Sequence, residues 1–128
     1  MSSLLRLCLF LILGSVALRA EEPFSWEKTP GRLPKHIVPV RYEVRIQPDI
    51  EQATFVGSQT VSFEVRQPAQ EIVLHSVGLE ISDARLLGAR PIALTPQVNT
   101  DEQTLTFALP EKLAPGRYEL ALSFTGKL

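Results

Sequence analysis

The chain is poor in the residues that build most catalytic centres. One cysteine and two histidines occur in 128 residues. Cys8 lies inside an N-terminal apolar run and follows Leu5-Arg6-Leu7. A lipoprotein signal sets a small residue just before its cysteine and places the cysteine after the apolar run, so lipidation is not expected. Beyond the run there is no cysteine, which excludes a disulfide framework, a thiolate metal site and a cysteine nucleophile. His36 and His75 stand apart in the sequence, and neither belongs to an H-E-x-x-H motif. That motif puts two imidazoles on one helical face with a glutamate base beside them. A catalytic zinc takes three protein ligands and keeps one position open, and this histidine pair does not supply them. A G-x-S-x-G elbow, a Gly-rich phosphate loop and an N-x-S/T sequon are also missing. The carboxylates are scattered, and spacing marks out no pair for acid–base work. No catalytic, cofactor-binding or metal-ligating residue is therefore expected in this chain.

A strong charge of one sign is missing too. The formal net charge is −1. No basic stripe with interleaved aromatics occurs, so a nucleic-acid partner is not expected. The one long apolar run, Leu7 to Leu18, is flanked by Arg6 and Arg19. At about a dozen residues it is short of the roughly 20 that span a bilayer as a helix. A basic flank, a short apolar centre and the small residues Ser15 and Ala17 make the pattern of a secretory signal peptide. Cleavage is expected after Ala17, with Ala20 as the alternative. Residues 1–20 are thus read as a signal peptide. The mature chain is read as exported (secreted, periplasmic or at the cell surface) without a stable transmembrane span. Without disulfides, its core alone must hold it.

Residues 21–34 carry Pro23, Pro30, Gly31 and Pro34 without an apolar period and read as an extended lead-in. From Ile37 onward, period-two alternation dominates. Tyr42, Val44 and Ile46 share one face against Arg41, Glu43 and Arg45, and Pro48-Asp49 ends that run. Val61, Phe63 and Val65 form a second alternating set, Ile72 and Leu74 a third. Leu79 and Ile81 begin a further strand, which Ala84, Leu86 and Ile92 continue irregularly around Gly88 and Pro91. Asn99-Thr100-Asp101-Glu102 is a turn before Leu105, Phe107 and Leu109. Tyr118, Leu120, Leu122 and Phe124 close the series. They are expected to bury on one face against Val61, Phe63, Val65, Leu105 and Phe107. Outside the leader no segment has helical apolar spacing. Short strands with turn signals between them predict an all-β fold, an antiparallel sandwich or a strongly bent sheet. Gly57 and Gly126 are expected at bulges or close backbone approaches. Gly116 after Pro115 suits a type II turn.

Four groups of residues, taken in order, resemble the N-terminal β-domain of the gluzincin aminopeptidases, the aminopeptidase N-like zinc exopeptidases. The first is Arg32, Leu33, Pro34, Pro39, Tyr42 and Pro48; the second is Phe55, Gly57 and Val65. The third is Ile72, Leu74, His75, Leu79 and Ile81; the fourth is Leu113, Gly116, Tyr118, Leu120, Phe124, Gly126 and Leu128. The resemblance implies a saddle-shaped, non-catalytic domain over residues 35–128, packed on a thermolysin-like catalytic domain of the same polypeptide. In such enzymes the catalytic domain carries a G-A-M-E-N-type loop and H-E-x-x-H with a distant third-ligand glutamate, and none of these occurs here. The resemblance therefore implies zinc and peptide substrates for an intact parent enzyme, and no cofactor in this chain. It also implies that the domain is incomplete at its C-terminal end. The last strand would then be an edge, poorly protected, beside an uncovered apolar patch. The competing reading is a free-standing secreted β-sandwich module that binds carbohydrate or protein.

Overall fold

The computed structural model of the chain describes residues 23–25, 28–31 and 33–128. The expected signal peptide lies outside the described residues. The chain divides into two units, Met1–Pro30 and Gly31–Leu128. In the first, the backbone N–H groups of Lys28 and Thr29 and the Thr29 hydroxyl all donate to the Ser25 carbonyl, closing one turn.

In the second unit every regular element is a strand. They are β1 (Ile37–Asp49), β2 (Thr54–Val65), β3 (Ala69–His75), β4 (Leu79–Leu87), β5 (Ile92–Ala93), β6 (Pro96–Asn99), β7 (Thr104–Leu113) and β8 (Gly116–Lys127). They form a five-stranded sheet in the order β1-β2-β8-β4-β5 and a three-stranded sheet in the order β3-β7-β6. All pairings are antiparallel. The expected all-β antiparallel sandwich is the observed fold.

The alternation in sequence becomes the core. Val61, Phe63 and Val65 of β2 bury beside Leu120, Leu122 and Phe124 of β8 and Ala84 and Leu86 of β4. Ala69 and Ile72 of β3 and Leu105, Phe107 and Leu109 of β7 close the core from the other sheet. Phe107 and Leu120 are completely buried. Leu120, Leu122 and Phe124 are thus buried against the expected partners, while Tyr118 is only partly buried beside them.

Three expectations are corrected. The last strand is no edge: β8 lies between β2 and β4, paired along both sides. One edge of the large sheet is β1, where Tyr42, Val44 and Ile46 remain 53%, 53% and 57% exposed. The irregular strand from Leu79 to Ile92 is two strands. β4 carries a register shift between Ile81 and Asp83, and β5 returns to pair Leu86 with Ile92. β6, which opens on Pro96, went unforeseen because its four residues are too few for a period to emerge. The third correction is Gly116. Its φ of 159° is nearly extended, far from the roughly +80° of a type II turn. The chain turns at Pro115 directly into β8, and the Tyr118 hydroxyl donates to the Ala114 carbonyl at 3.0 Å. A tyrosine tied four residues back in this way fixes the corner where the chain crosses from one sheet to the other.

Candidate functional site

The two F-x-G pieces meet. Phe55 pairs with Gly126 and Gly57 with Phe124 across β2 and β8. A Cβ on Gly57 would lie 2.3 Å from a ring carbon of Phe124, and one on Gly126 2.4 Å from a ring carbon of Phe55, too close for either to fit. Each glycine is therefore the slot for an aromatic ring from the opposite strand, the close approach that its place in a strand had suggested. The two rings also meet edge to face, with centroids 6.4 Å apart and planes at 80°. At the far end of the same strand pair, Phe63 stacks on Tyr118 at 6.0 Å. These motif residues lock the centre of the large sheet. They have no chemistry of their own.

The histidines are not brought together. His36 precedes β1, half-buried, and its carbonyl accepts from the Arg66 N–H at 2.7 Å. His75 ends β3 in the other sheet and is exposed. Among the described residues no three histidine, cysteine, aspartate or glutamate side chains cluster to hold a metal ion. The donor set present does not fit a catalytic zinc.

Concave ground is equally spare. The groove that Tyr42 and Gln59 share with Leu74 and His75, floored by Leu122 and Phe124, measures about 240 Å³. That is below the roughly 300–1,000 Å³ of ordinary ligand pockets. Larger depressions of about 670 and 680 Å³ involve opposite ends of β8, and their charged side chains are all exposed. No buried side-chain nitrogen or oxygen among the described residues lacks a hydrogen-bond partner. A built polar site usually leaves such orphans for its ligand.

The large sheet presents two unlike faces. Its outer face is polar and carries Ser58, Thr60, Ser62, Ser123 and Thr125 beside local pairs. Arg41 meets Glu43 at 2.7 Å, Arg85 meets Asp83 at 2.9 Å, and the Ser62 hydroxyl donates to Glu119 at 3.0 Å. Its inner face is core under the small sheet and bare at β1. There Tyr42, Val44 and Ile46, opposite Val61, Gln59 and Gly57, project on the core side and remain about half exposed. Alternation showed that these residues share a face. It held no signal that the face would stay open.

Residues 38–128 match the Peptidase M1 N-terminal domain. The chain belongs to that family. Aminopeptidase N of Acetobacter pasteurianus is 31% identical over 109 residues, which are 85% of this chain and 30% of that protein. Endoplasmic reticulum aminopeptidase 2 of Bos taurus is 34% identical over 115 residues, 84% of this chain and 12% of that protein. An M1 zinc metallopeptidase of Deinococcus radiodurans shares the fold with a TM-score of 0.60 at 24% identity. That alignment covers 73% of this chain and 21% of the other. This M1 N-terminal domain thus corresponds to a minor part of each relative. Its motif residues are framework: Gly57, Phe124, Gly126 and Tyr118 hold strands and a corner in place.

Proposed function

We propose that this chain is the non-catalytic N-terminal domain of an exported zinc metallo-aminopeptidase that removes N-terminal residues from peptides. The observation that carries the reading is the match to the Peptidase M1 N-terminal domain over residues 38–128, in a chain whose relatives are aminopeptidases several times longer. The domain's own contents fit a scaffold. Its motif side chains are spent on packing, its two histidines lie in separate places, and its grooves hold no buried charge. Any zinc chemistry would then belong to another part of the parent polypeptide. Export is supported by the leader alone, where Arg6, the apolar run to Leu18 and the small residues Ser15 and Ala17 stand in signal-peptide order.

The test is to read the gene beyond the codon for Leu128 and to express what it encodes. An in-frame continuation with G-A-M-E-N and H-E-x-x-H, yielding a protein that binds zinc and releases N-terminal residues in a chelator-sensitive way, is the expected result. A stop codon with no such sequence nearby would overturn the reading in favour of a separate binding module.

A further inference from the structure

We draw no further inference here: the strongest candidate, the hollow on the outer face of the large sheet lined by Arg45, Ser58, Ser82, Ser123 and Thr125, carries nothing because its one cation is exposed and no buried polar side chain among the described residues is left without a partner to point to a ligand.

Discussion

At the scale of single residues, the fold rests on a few positions where backbone and side chain must agree. Gly57 and Gly126 are held by rings, and they test that claim directly. Gly57→Ala drives a methyl into Phe124, and Gly126→Ala does the same to Phe55. Each should cost about 1–3 kcal/mol in urea denaturation, the usual cost of overpacking. The obstacle at Gly57 is a side chain, so Phe124→Leu in the Gly57→Ala background should recover part of the loss; strict additivity would show that the ring is not the cause. Two loops carry the opposite kind of strain. The β1–β2 loop is tied by the Gln52 N–H donating to Asp49 Oδ1, and the β6–β7 loop by the Glu102 N–H donating to Asn99 Oδ1. Each then passes through a non-glycine residue with positive φ just before the next strand, Ala53 at 51° and Gln103 at 56°. Left-handed backbone costs an ordinary residue about 1–2 kcal/mol, and glycine's extra chain entropy costs roughly 0.5–1. Ala53→Gly and Gln103→Gly should therefore each stabilise the fold by up to about 1 kcal/mol, seen as a higher urea midpoint with unchanged slope.

At the scale of elements, stability concentrates in β8. Leu120 is fully buried, and the strand is paired on both sides. Leu120→Ala should cost about 2–5 kcal/mol. In hydrogen exchange, amides of Leu120–Phe124 should open only with global unfolding. The edge amides of Tyr42, Val44 and Ile46 should exchange far sooner. Equal protection of the two strands would contradict the observed order. This is also where the sequence was least informative. Period-two spacing identified which side chains of β2, β7 and β8 share a face, because burying one face of a strand forces that spacing. The Asn99 turn was legible because an Asx side chain closes its own loop. Strand order has no such local signature. The last strand in sequence was expected at an edge, yet β4 reaches it from the far side, and the bare row fell on β1. The bulge in β4 and the two short strands after it were hidden for a related reason: a register shift or a two-residue bridge is set by the partner strand, not by the residues it interrupts. The framework role of the motif glycines was partly legible. A glycine in a strand signals a close approach, but only the pairing of Phe55 with Gly126 and Gly57 with Phe124 identifies what approaches.

At the scale of the whole molecule, the question is whether this domain can carry any part of the proposed aminopeptidase reaction by itself. A zinc peptidase needs three ligands converging on one point with room for a water beside them. His36 stands before β1 of the large sheet, and His75 ends β3 of the small one. No described carboxylate cluster lies at hand to complete a site with either. A surface contact through one imidazole would be weak and would not outlast a chelator. The full chain, dialysed against EDTA and returned to zinc-containing buffer, should therefore retain substoichiometric zinc and leave the N-termini of unblocked peptides intact. His36→Ala and His75→Ala should change neither result. Stoichiometric zinc lost in either variant, or chelator-sensitive release of N-terminal residues by the chain alone, would show that a site assembles here after all and that the domain is more than a scaffold. If instead the chain is inert and a longer product of the same gene is active, the chemistry resides outside these 128 residues, and what they contribute is the stable double sheet on which the rest of the enzyme is built.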